Sequence, residues 1–199
     1  MPVTSESINK KYNMSLAIGS KAPDFKTTDQ DGKEVTLSGL KGKKVVLYFY
    51  PKDMTPGCTA EACSLRDNYS ALKKAGYEVM GISSDNEKMH KKFIEKEKLP
   101  FRLLADVDKS VHTKYGAWIE KSMYGRKYMG TQRVTYIINE NGVIQEAIEK
   151  VDTKNHAEQI LGSKSPATSA KATQKKAVPK KVAPKKVGKK VVVKKAKKK

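Results

Sequence analysis

Two cysteines in 199 residues are too few for a disulfide-stapled fold. Cys58 and Cys63 also stand five residues apart, whereas a structural disulfide gains most by tying distant segments together. That placement suits local redox chemistry better than stapling. No apolar run approaches the roughly 20 residues of a membrane span, and residues 1–20 lack the apolar core of a secretory signal, so a soluble, unexported protein is expected. A Gly-rich phosphate loop and a Cys-x-x-Cys pair are both missing. A zinc site would need four ligands, and His90, His112 and His156 stand alone far along the chain, each reading as an exposed residue. Acidic residues are absent from residues 164–199, where 15 of the 41 basic residues fall. The net charge of +20 is therefore lopsided: the first 163 residues hold 26 basic against 21 acidic groups, or +5.

What is present reads as a polar leader (1–15), one domain (16–162) and a tail (163–199). Residues 25–37 suggest two short strands about a turn at Asp31-Gly32. Residues 45–50, VVLYFY, form a near-continuous β-branched and aromatic run stopped by Pro51, the mark of a central strand buried on both faces. Ala62, Leu65, Tyr69 and Leu72 recur at helical spacing, predicting a helix over 60–75 that begins just after Pro56-Gly57. A strand over 77–82, a helix over 86–98, a strand over 101–104 and a short helix over 110–115 follow. A hairpin of 134–138 with 143–147 and a helix over 153–161 close the domain. Crossover helices make parallel neighbours and tight turns make antiparallel ones, so the fold class is α/β, with a mixed sheet in thioredoxin-like order.

Cys58 follows Thr55-Pro56-Gly57, where a buried strand has ended and a helix is about to start. A lone cysteine is more often a small buried hydrophobe. At a helix N-terminus, however, unpaired N–H groups and the positive end of the dipole favour a thiolate, the nucleophilic form. The Thr55 hydroxyl could orient a small oxygen substrate there, and Pro51 and Pro56 stiffen the approach. In an intact helix the α-carbons of residues 58 and 63 stand roughly 8–9 Å apart, while a disulfide needs less than about 7 Å. Bonding between them therefore requires the first turns of the helix to unwind. Simple core packing is the other reading of Cys63.

The stretch YFYPKDMTPGCTAEAC, residues 48–63, closely resembles the active-site segment of peroxiredoxins, in particular the bacterioferritin comigratory protein or peroxiredoxin Q subfamily. The resemblance runs over residues 16–161, with APDF at 22–25 and RVTYII at 133–138. Two departures are mild: Met54 stands where the family varies, and Tyr136 replaces a more usual phenylalanine. The resemblance implies a thiol peroxidase in which Cys58 is the peroxidatic cysteine and Cys63 resolves its sulfenic acid as an intramolecular disulfide. Pro51, Thr55 and Arg133 match active-site positions. Arg133 would supply a permanent cation, and Glu61 would hold it as an ion pair, a helix-surface glutamate beside the dipole N-terminus being the other reading. The family implies no metal, flavin or haem, and a thioredoxin-like dithiol as reductant. Hydroperoxides would be the substrates, with Tyr48, Tyr50, Trp118 and Met123 as candidate apolar walls. A monomer is expected.

The tail alternates lysine pairs with Val, Ala and Pro, like the tails of linker histones: Lys175-Lys176, Lys180-Lys181, Lys185-Lys186, Lys189-Lys190 and Lys194-Lys195. Such a segment cannot bury enough apolar surface to offset its ordering entropy, so disorder is expected. Phosphate polyanions are its natural partner, and without interleaved aromatics the binding would be non-specific. A nuclear localisation signal, an anionic membrane surface or a solubility tail are the alternatives. A cytoplasmic location follows, at the nucleoid, or nuclear in a eukaryote. Two other functions stay open: a nucleic-acid-binding architectural protein with a vestigial or regulatory redox domain, and a thiol redox sensor.

Overall fold

The computed structural model describes residues 16–162. The leader, the tail and its paired lysines lie outside the described residues. The strands are β1 (Lys26–Asp29), β2 (Glu34–Thr36), β3 (Lys44–Phe49), β4 (Tyr77–Ser83), β5 (Arg102–Ala105), β6 (Trp118–Met123), β7 (Arg126–Thr131), β8 (Val134–Ile138) and β9 (Ile144–Ile148). The helices are α1 (Pro56–Asp67), α2 (Tyr69–Lys74), α3 (Glu87–Glu97), α4 (Ser110–Lys114) and α5 (His156–Gly162).

Seven strands form one sheet in the order β2-β1-β5-β4-β3-β8-β9. β3 pairs in parallel with β4 and antiparallel with β8, from Val45 opposite Ile138 to Phe49 opposite Val134. The crossovers from β3 through α1 and α2 to β4, and from β4 through α3 to β5, give the parallel pairs. This is the mixed, helix-flanked sheet of thioredoxin-like order that the sequence implies.

β3 shows why. Its side chains alternate between two cores: Val45, Leu47 and Phe49 join Phe25, Tyr115 and Tyr136 on one face, while Val46, Tyr48 and Tyr50 join Cys58, Ala62 and Leu65 of α1 on the other. The α1 members sit at i, i+4 and i+7, one stripe of a helix, which presses the Cys58 turn onto the sheet. Tyr48 also explains Gly81 of the neighbouring strand. A Cβ there would lie 2.6 Å from Tyr48 Cζ, so only glycine fits.

The structure differs from the sequence reading at α1, at β6–β7 and at the three histidines. The helix expected over 60–75 starts four residues earlier, at Pro56, and is broken at Asn68, whose backbone N and Nδ2 both donate to the Ser64 carbonyl, at 3.3 and 3.0 Å. A side chain competing for helix carbonyls is a known cause of such breaks. The β6–β7 ribbon was not expected. Its turn residues Tyr124 and Gly125 have φ of 52° and 77°, the pair of left-handed residues that a tight two-residue hairpin requires. Finally, the three histidines are not exposed: each is fully buried. Each has a polar partner, Asp53 for His90, Asp106 for His112 and Thr135 for His156.

Candidate active site

The sheet ends at Tyr50, whose N–H still donates to the Ile82 carbonyl at 3.1 Å, and Pro51, lacking an N–H, then turns the chain away. The loop 51–55 is fixed by a buried network. Tyr50 Oη donates to Asp53 Oδ1 at 2.7 Å, and His90 Nδ1 of α3 lies 2.8 Å from Asp53 Oδ2. His90 Nε2 donates to the Leu104 carbonyl at 3.1 Å. Asp53 N–H in turn donates to Asp85 Oδ2 at 2.8 Å, and Ser83 Oγ does so at 2.9 Å. Met54 has φ of 57°, a left-handed backbone that costs a side-chain-bearing residue about 1–2 kcal/mol and that the network must hold.

Thr55 is the extended residue before α1, with φ −83° and ψ 149°, and Pro56 opens the helix. Thr55 Oγ1 does not cap; it donates to the Lys52 carbonyl at 3.0 Å. Cys58 thus sits in an uncapped first turn, 2% exposed. Arg133, between β7 and β8, donates from Nη2 to Cys58 Sγ at 3.4 Å and from Nη1 to Glu61 Oε2. The guanidinium packs close over this turn, since a Cβ on Gly57 would lie 3.5 Å from Nη2. A helix N-terminus and a guanidinium together favour negative charge on a sulfur placed between them.

Behind Arg133 the site is fully buried. Glu61, one turn after Cys58, is fully buried, and its Oε1 lies 3.7 Å from His156 Nε2 without a hydrogen bond. His156 Nε2 instead meets Thr135 Oγ1 at 2.9 Å, and burial pushes the imidazole down to about 4, so it is neutral. Burial pushes Glu61 up to about 7 even against the pull of Arg133. An acid raised in the folded state binds protons that the unfolded chain has already lost, so its stabilisation is complete below pH about 4.5 and lost as pH rises through about 7. Glu61→Gln removes this titration. Measured by denaturant unfolding, wild type should lose up to about 3 kcal/mol relative to Glu61→Gln between pH 4 and pH 8. A constant difference would mean that burial does not raise Glu61 above its ordinary value.

Cys63 does not join this cluster. α1 runs unbroken through both cysteines, which are free thiols, and Cys63 Sγ faces the far side, 3.8 Å from Glu97 Oε2 at the end of α3. The structure therefore brings together Cys58, Arg133 and Glu61, sets Thr55 and Pro51 at the loop ends beside them, and leaves Cys63 apart. Tyr48 and Tyr50 are no substrate wall: their rings stack at 5.4 Å within the core. Met123 lies exposed on the ribbon and Trp118 is half-buried. The sequence reading missed Asp53, Asp85, His90, His156 and Thr135, which support the site from the loops after β3 and β4 and from α3, α5 and β8.

Known proteins resemble this chain in sequence and in fold. Residues 18–147 match the model of the AhpC/TSA family. The chain is 48% identical over 149 residues to a putative peroxiredoxin bcp of Coxiella burnetii, covering 75% of this chain and 99% of that one. It is 46% identical over 146 residues to peroxiredoxin Bcp of Escherichia coli, covering 73% and 94%. Among solved structures, the bacterioferritin comigratory protein of Xanthomonas campestris, described for its alkyl peroxide reduction activity, superposes with a TM-score of 0.67 at 32% identity, covering 70% of this chain and 88% of that one.

Proposed function

The chain belongs to the AhpC/TSA family as a peroxidase of the Bcp-type peroxiredoxins, and from that premise we propose that Cys58 is the sulfur that hydroperoxide oxidises and Cys63 the thiol that resolves it. One observation carries the reading: the buried Cys58 sulfur in the first turn of α1, 3.4 Å from a guanidinium anchored on Glu61.

The Cys58 thiolate attacks the terminal oxygen of ROOH, the O–O bond breaks, Cys58 keeps the OH as a sulfenic acid, and RO⁻ leaves and takes a proton from solvent to become ROH. Arg133 stabilises the thiolate before attack and the charge passing to the leaving oxygen during it. The Thr55 hydroxyl, donating to Lys52, keeps oxygen lone pairs that can accept from the hydroperoxide. Cys63 then attacks the Cys58 sulfur, forming the disulfide and releasing water. A thioredoxin-like dithiol reduces that bond, and because both cysteines lie in one chain, turnover needs no second protomer. Hydrogen peroxide and organic hydroperoxides both fit this chemistry.

The variant Cys63→Ser should still consume one equivalent of peroxide, lose thioredoxin-linked turnover, and progress to sulfinic acid more readily. Coupled turnover with intact-mass analysis checks it. Full turnover in that variant would mean that another thiol resolves Cys58. The lysine-rich tail supports a further part of the reading: that it holds the enzyme on nucleic acid, at a nucleoid or in a nucleus.

A further inference from the structure

The two sulfurs face opposite electrostatic surroundings. Cys58 has a helix N-terminus and Arg133. Cys63 points at the opposite kind of end: Glu97 is the last residue of α3, and Lys98, with φ of 54°, ends that helix. The final carbonyls of a helix carry the negative end of its dipole, so both they and the Glu97 carboxylate oppose a sulfur anion. Arg66, three residues on from Cys63 and on the same side of α1, donates from Nη1 to the Glu97 carbonyl at 2.7 Å. The C-terminal half of α1 is thus pinned to the end of α3 at two adjacent points, by a thiol and by a guanidinium.

The charged groups around Cys63 are Arg66 and Asp67 from its own helix and Glu97 from α3, with Lys96 Nζ 3.8 Å from the other Glu97 oxygen. Burial pushes the Cys63 thiol up; Arg66 pulls it back, and Glu97 and Asp67 add to the rise.

We propose that Glu97, with Arg66, is a latch on the resolving step: it holds Cys63 against the end of α3 and keeps α1 closed, so that the resolving thiol is released only when the helix unwinds. The inference rests on reading Cys63 as the resolving thiol. Once released, Cys63 attacks the sulfur of Cys58–OH; the S–O bond breaks, the S–S bond forms, and the thiol proton leaves with the hydroxyl as water. No outside electrons are needed. The latch therefore sets how long the sulfenic acid persists, and so how often a second hydroperoxide oxidises it further. Glu97 and Arg66 are positioning residues: Glu97 meets the Cys63 sulfur only while α1 is closed, and neither takes part in the bond exchange.

The test uses the full chain. One equivalent of hydrogen peroxide is added to reduced wild type, Glu97→Gln and Glu97→Ala, and disulfide formation is followed by rapid acid quench and intact mass. The alanine variant should close the disulfide about two- to tenfold faster, the factor expected for losing one modest hydrogen bond, with glutamine in between. A second readout separates the latch from a general loosening. In a Cys58→Ser background, alkylation of Cys63 by iodoacetamide should shift to lower pH in the Glu97 variants. At neutral pH it should quicken about threefold per pK unit recovered, because tenfold more thiolate is partly offset by weaker nucleophilicity. Should Glu97→Ala fail to fold, Arg66→Gln opens the other contact and should also speed closure. Wild type forming the disulfide while these variants close it at the wild-type rate would overturn the latch alone. Wild type forming no Cys58–Cys63 disulfide would overturn the resolving role and the latch with it.

Discussion

Replacing Cys58 with serine should abolish hydroperoxide turnover, leaving only the background seen without protein. A serine hydroxyl stays protonated near neutral pH and is a far weaker nucleophile toward oxygen than a thiolate, so neither Arg133 nor the α1 terminus can rescue the attack. The fold should survive. Serine is close in size, and its hydroxyl would still face Arg133 Nη2, which lies 3.4 Å from the present sulfur. Coupled turnover and thermal unfolding on one preparation check both halves. A folded Cys58→Ser protein that kept most of its turnover would remove Cys58 from the chemistry.

Deleting residues 163–199 should abolish retention on DNA and leave peroxide turnover nearly unchanged, because both cysteines, Arg133 and Glu97 all lie before that segment. If about seven of the 15 lysines meet phosphates, full-length affinity should fall by about 10³ to 10⁴ between 50 and 200 mM salt, and binding should be independent of sequence. Gel shifts at the two salt concentrations measure it. A truncated protein binding DNA with full-length affinity would move the contact to the body, whose charge is only +5. Tight binding by the tail together with an inactive domain would favour the architectural alternative.

The peroxidase core was largely legible because its signals are local. A β-branched run ending at Pro51, a helix start at Pro56 and Cys58 in its first turn lie within a few residues of one another, and their burial follows from period. Glu61 and Arg133 came from resemblance, and the structure adds what resemblance lacked: a guanidinium 3.4 Å from the Cys58 sulfur and paired with a fully buried Glu61. The supporting residues could not be read in advance. His90 meets Asp53 across 37 positions and His156 meets Thr135 across 21, so no local spacing marks them. Their burial runs against the usual placement of isolated polar side chains, and it holds because each found a partner. The β6–β7 ribbon was missed for the opposite reason. It is mostly exposed and so lacks apolar alternation, and only Tyr124-Gly125 marked its turn. The break at Asn68 came from one side chain competing for a carbonyl, an event that periodicity cannot register.

The most direct measurement is intact mass with peptide mapping of the reduced full-length protein after one equivalent of hydroperoxide. If Cys58 is oxidised and Cys63 resolves it, the chain should lose two mass units and yield one peptide pair joining Cys58 to Cys63, while amide exchange over residues 59–64 rises as α1 unwinds. A lasting gain of 16 mass units with both peptides separate, or no change of mass while peroxide disappears, would contradict it.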